Sequence, residues 1–90
     1  MMKILNIEKN SFQYEGKTYT RAKVFYGKDP LIGHISVTEN TQIYRYIQGY
    51  ACMIGRGFQE LKVGMTITPI FFVDKYSNCV LQSIIIEEDA

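Results

Sequence analysis

From position 17 to position 26 the chain alternates strictly. Lys17, Tyr19, Arg21, Lys23 and Phe25 fall on one side of an extended backbone, and Thr18, Thr20, Ala22, Val24 and Tyr26 on the other. A period of two held over ten residues fits a pleated strand and no helix, so the fold must house a β-strand with one cationic, aromatic face. Just before it, Glu15-Gly16 reads as a two-residue hairpin turn. That turn leads back to a first strand, which starts at residues 2–7 and runs through a kink near Asn10 to Phe12 and Tyr14. Gly27-Lys28-Asp29-Pro30 ends the second strand, because proline has no N–H for a ladder and Asp-Pro favours a turn. A third strand follows over residues 31–38, with Leu31, Ile35 and Val37 inward and His34, Ser36 and Thr38 outward.

At Glu39-Asn40-Thr41 the period lengthens. Asn40 is a good N-cap, Ile43, Ile47, Tyr50 and Ile54 recur at helical spacing, Gly49 weakens the middle and Gly55-Arg56-Gly57 supplies a left-handed stop. The spacing therefore predicts a helix of three to four turns. Leu61-Lys62-Val63-Gly64 then enters a hairpin, with arms at residues 65–73 and 79–86 rich in Thr, Ile, Val and Phe, and a turn at residues 74–78. Pro69 inside the first arm demands an edge position or a bulge, and Phe71, sharing a face with Met65, Ile67 and Val73, is expected in the core. The expected fold is mainly β: a five-stranded OB-type barrel with one helix between the third and fourth strands. It forms a single domain over residues 1–90, with an acidic end at 86–90.

Ninety residues with 47% hydrophobic and 21% charged side chains suit one core, and a domain this small gains from further burial at a subunit interface, which predicts a homodimer. The formal charge is only +1, but taking away the acids Glu87, Glu88 and Asp89 leaves the rest of the chain at +4, compatible with a polyanionic partner. Cys52 and Cys79 lie far apart in no metal-type spacing, no apolar run reaches membrane length, and no signal-like segment is present. Two reduced thiols in a cytoplasmic protein are expected. With His34 the lone histidine, no nucleophile elbow and no phosphate-cradling glycine pattern, the chain reads as a non-enzyme without metal or cofactor.

Gly16-Lys17-Thr18-Tyr19, the stretch Phe71-Phe72-Val73-Asp74-Lys75-Tyr76-Ser77-Asn78 and the closing Leu81-Gln82-Ser83-Ile84-Ile85 resemble the helix-destabilising, single-stranded-DNA-binding proteins of filamentous phages and related mobile elements. The resemblance implies a small, dimeric OB protein that coats single strands during replication or transfer. Strand binding without sequence preference needs cations along the sugar-phosphate path and flat rings for the bases. Lys17, Tyr19, Arg21, Lys23 and Phe25 supply both on one strand face, and Phe72, Lys75 and Tyr76 near the last turn are further candidates. The same residues also read as a solvated face with cross-strand packing. An RNA partner fits the same chemistry, and a protein-protein adaptor on the same barrel is the alternative function.

Overall fold

β1, Met2–Tyr14, is a 13-residue strand with a contour length of roughly 43 Å at ~3.3 Å per residue, in a molecule that measures 42 × 31 × 27 Å. The computed structural model describes residues 2–28 and 31–88, with the side chains at 28, 31 and 88 outside that description. The expected break at Asp29-Pro30 and the inward placement of Leu31 therefore lie outside the described residues, as does the end of the acidic tail. Six more strands follow β1: β2, Lys17–Lys28; β3, Leu31–Thr38; β4, Gln42–Ile47; β5, Tyr50–Arg56; β6, Thr66–Val73; and β7, Cys79–Glu88.

The fold is mainly β, in one open sheet of order β3-β2-β1-β6-β7-β4-β5. β1 spans its bend. Met2 and Lys3 pair with Ile67 and Thr66 of β6, whereas the rest of the strand pairs with β2, after an irregularity between Ile4 and Asn6. The kink expected near Asn10 thus falls about five residues earlier, where the backbone of Ile4 bonds Met65 and Gly64 at 2.8 and 2.9 Å and ties the bend to the loop before β6. Ile4 is fully buried there, in one core with Ala22, Val24, Ile35, Val37, Ile43, Phe58, Leu61, Met65, Ile67, Ile84 and Ile86. The alternation of β2 and β3 accounts for four of these residues: Ala22, Val24, Ile35 and Val37 point inward, while Arg21, Lys23, His34, Ser36 and Thr38 stay exposed.

The expected helix is absent, which corrects the count of five strands to seven. Residues 42–56 form the hairpin β4–β5, and β4 pairs in parallel with β7, Ile43 beside Ile84. Ile43 is buried as expected, but Ile47, Tyr50 and Ile54 are exposed. Asn40 caps no helix. It sits in a turn where its amide donates to Thr38 Oγ1 at 3.3 Å and Thr41 donates its amide to the Thr38 carbonyl. Gly55 and Arg56 belong to β5 and do not stop a helix, and Gly57 closes the hairpin base through a 2.8 Å bond to the Thr41 carbonyl.

At the hairpin tip, Gln48 and Gly49 both take positive φ, 52° and 86°, the signature of a two-residue type I′ turn. An L-side chain at position 49 finds open space but the wrong backbone, since nothing lies within 4 Å of an added Cβ. Gly49→Ala is therefore expected to cost about 1–2 kcal/mol through conformation alone, read as a lowered urea midpoint. An unchanged or raised midpoint would show that the turn is not held in this form.

The last hairpin forms at its expected place. Pro69 lies beyond the two β1–β6 pairs, on a length of β6 whose pairing is with β7, and the ladder slips one residue on, between Ile70 and Phe71. Just past that irregularity Leu81, opposite Phe71, still packs against the core, and exposure rises toward the tip. Phe71, expected in the core, is 42% exposed, much like Phe72 at 44%.

Candidate nucleic-acid interface

The turn Glu15-Gly16, with φ of 50° and 77°, sets the register of the β1–β2 ribbon, placing Tyr14 opposite Lys17 and Phe12 opposite Tyr19. Continuing inward, Asn10 faces Arg21, Glu8 faces Lys23 and Asn6 faces Phe25, so these β1 residues share the outer side with the β2 set. β3 extends the same rows: Thr38 lies beside Arg21, Ser36 beside Lys23 and His34 beside Phe25. β3 ends at Thr38, and residues 11–20 project past it as a two-stranded arm. Glu39 finishes the ladder there, its carboxylate accepting the Thr20 amide at 3.3 Å.

On the outer side of this arm the rings are organised. Phe12 and Tyr19 stack with centroids 5.6 Å apart and planes 23° from parallel, and the Arg21 guanidinium lies 4.7 Å from the Phe12 centroid. Cross-strand aromatic pairs and cation–π contacts of this kind each contribute up to about 1 kcal/mol at exposed positions, enough to hold the rings in place without burying them. Both rings stay about 40% exposed. Nearer the body, Phe25 is half-buried and meets His34 at 5.9 Å in a tilted arrangement. Between the two ring pairs runs a groove lined by Glu8, Lys9, Asn10, Arg21, Lys23 and Ser36, in which Arg21 and Lys23 set two cations against the Glu8 carboxylate, while the Lys9 ammonium lies on the inner side, 5.5 Å from the Phe58 ring.

Lys17, Tyr19, Arg21, Lys23 and Phe25 thus stand on one side of one strand, as the alternation predicts. Phe72, Lys75 and Tyr76 do not join them. They sit on the β6–β7 hairpin, which continues past the start of β1, whereas the ribbon tip lies past its end, so the two groups are carried by separate hairpins. Phe12 was missed by the sequence reading, and with it Tyr14, Asn10 and His34. The turn at Glu15-Gly16 carried the signal, since a two-residue loop makes Tyr14 face Lys17 and Phe12 face Tyr19.

The β6–β7 tip is a small ordered unit of its own. Asp74 accepts the amides of Tyr76 and Asn78 on Oδ1 at 2.8 and 2.9 Å, the Lys75 ammonium lies 5.1 Å from the Tyr76 ring centroid, and Ser77 takes φ of 64°. The Asn78 amide above all, with that of Tyr76, holds the Asp74 carboxyl below the usual aspartate range. A depressed folded-state pKa means that the carboxylate stabilises the turn above the ordinary aspartate pKa and stops doing so as pH falls through the lowered value. Acidification from pH 5 to pH 2 is expected to release the Tyr76 and Asn78 amides, seen as shifted NMR signals and as lower protection relative to the intrinsic exchange rate at each pH. Signals unchanged across that range would remove Asp74 as the clamp.

Compared with known proteins, the chain matches no family model, no curated protein and no solved structure. Among the described residues no helix is long and apolar enough to cross a membrane.

Proposed function

We propose that this chain binds single-stranded DNA on an OB-type frame and coats or protects strands during the replication or transfer of a phage or mobile element. The strand connections support the frame. β1, β2 and β3 form a meander, β1 pairs with β6, β6 with β7, and β7 returns in parallel to β4, which resumes the path of β3 after a three-residue turn. Counting β3 and β4 as one broken strand gives the circuit of a partly open OB barrel, with β5 as an added edge and the β4–β5 hairpin where a helix was expected. β3 also approaches β7.

The observation that carries the binding reading is the Phe12–Tyr19 stack with Arg21 against it, in line with Lys17 on the projecting arm and Lys23 on the sheet behind it, all exposed on one side. In this mechanism Lys17, Arg21 and Lys23 take phosphates, and bases stack on the outer surfaces of the Phe12–Tyr19 pair and beside Phe25. Each stacked base contributes roughly 1–3 kcal/mol, so two stacking positions and three phosphate contacts give useful affinity without any base-reading hydrogen bond. No tryptophan is present, so the intrinsic fluorescence reports the tyrosines alone. Titration with oligo(dT) should quench it saturably, salt should reverse the quenching, and duplex DNA should compete poorly. Running oligo(rU) beside it decides between DNA and RNA.

The exposed apolar side chains of the β4–β5 and β6–β7 hairpins favour a second reading, a protein-protein adaptor. It gains if no oligonucleotide alters the fluorescence at low salt.

A further inference from the structure

We infer that two copies of this chain join edge to edge through β5, in antiparallel register centred on Cys52. The inference is independent of the strand-binding reading. β5 ends the sheet order, paired with β4 on one side only, and leaves a row of backbone donors and acceptors open on the other. Exposed edges are usually blunted by charge, proline or a bulge, and here the protection is partial. Tyr50, Ala51, Cys52, Met53 and Ile54 carry no charge and no proline, and the cation of β5 is Arg56 at its far end. One bulge is present: Ile43 pairs with Gly55 but Tyr44 with Met53, leaving Ile54 as the extra residue. The unbroken edge therefore spans residues 50–53.

Three observations make a second copy the occupant. An antiparallel pair of identical segments is self-complementary across a two-fold axis when one residue faces its own copy. The type I′ turn makes Ile47–Tyr50 a hydrogen-bonded pair, so Ala51 and Met53 turn their backbone groups to the open edge, which places Ala51 opposite Met53 and Cys52 opposite Cys52 of the other copy. The flanking side chains are largely apolar, with Tyr46, Ile47, Tyr50, Met53 and Ile54 between 36% and 76% exposed, and the charges near the edge are the cations Arg45, opposite Cys52 on β4, and Arg56, which suits a second apolar edge better than a basic peptide. Met53 and Tyr46 share one face of the hairpin, so both copies would add them to a continuous apolar band beside Tyr44 and Ile85.

Sedimentation of the full chain at tens of micromolar tests the inference, with Met53→Lys and Ala51→Lys as edge-blocking variants. The wild type should sediment as a dimer and both variants as folded monomers with unchanged far-UV circular dichroism. An independent arm uses the Cys79→Ser variant, in which mild oxidation should yield a covalent dimer through Cys52 of both copies. Glu15→Cys in a Cys52→Ser, Cys79→Ser background should yield none. A monomeric wild type overturns the inference, as does a dimer that survives both lysine substitutions or a cross-link that fails to form in a sedimenting dimer.

Discussion

Arg21→Glu combined with Lys23→Glu is expected to weaken oligo(dT) binding about 100-fold at 0.1 M salt, and to do so alike for every base composition. Each phosphate contact to a single strand contributes about 0.7 to the slope of log affinity against log salt. At 0.1 M salt one contact is thus worth roughly fivefold, two contacts roughly 25-fold, and reversing the charges adds repulsion. The slope itself should flatten by about 1.4, which separates lost phosphate contacts from a general loss of folding. Both side chains are exposed on the outer side of β2, opposite the buried Ala22 and Val24, so the fold should survive the change. Lys75→Glu, on the separate β6–β7 hairpin, should change affinity much less. Equal losses from the two variants would mean that the strand runs over both hairpins.

The second large effect concerns stability. Ile4→Ala should lower stability by about 2–5 kcal/mol, the usual cost of truncating a fully buried isoleucine, and the melting temperature by on the order of 15 °C. Ile4 is 0% exposed at the bend where β1 leaves β6 for β2, and a cavity there loosens both halves of the sheet. Below the melting range oligo(dT) affinity should stay within about twofold of the wild type, because Ile4 lies in the core and the proposed ligands lie outside it. A loss under 1 kcal/mol in a urea titration would contradict the placement of Ile4 in a packed interior.

The sequence was most readable where local chemistry and periodicity agreed. In the β1–β2 ribbon, Glu15-Gly16 requires a tight turn, the alternation from 17 to 26 requires a strand, and both hold in the structure. At residues 42–56 two patterns coincide. Ile43, Ile47, Tyr50 and Ile54 are spaced four, three and four apart, the stripe of a helix. The same spacing is mirror-symmetric about the bond between Gln48 and Gly49, so a two-residue hairpin turn there also puts Ile47 opposite Tyr50 on one face. Hydrophobic period alone leaves the two unresolved. The deciding information was residue type, since Ile and Tyr lose side-chain freedom in helices and pack well on sheets, and Gln-Gly accepts the positive φ of a type I′ turn. Phe71 shows a different limit: alternation says which face a residue takes, but not where the core stops covering that face.

The candidate site was half legible for the same reason. Its β2 residues follow from one strand read alone, whereas Phe12, Asn10 and His34 enter through pairing between strands. Phe72, Lys75 and Tyr76 were grouped with them by composition, and register places them at the other end of β1.

The most direct test is an NMR titration of the isotope-labelled chain with oligo(dT), following ring protons and backbone amides. Saturable shifts at Phe12, Tyr19, Arg21, Lys23 and Phe25, with the core residues of β3 and the tip at Asp74 and Tyr76 unmoved, are the result expected. Shifts confined to the β4–β5 or β6–β7 hairpin, with Phe12 and Tyr19 unaffected at saturation, would contradict it.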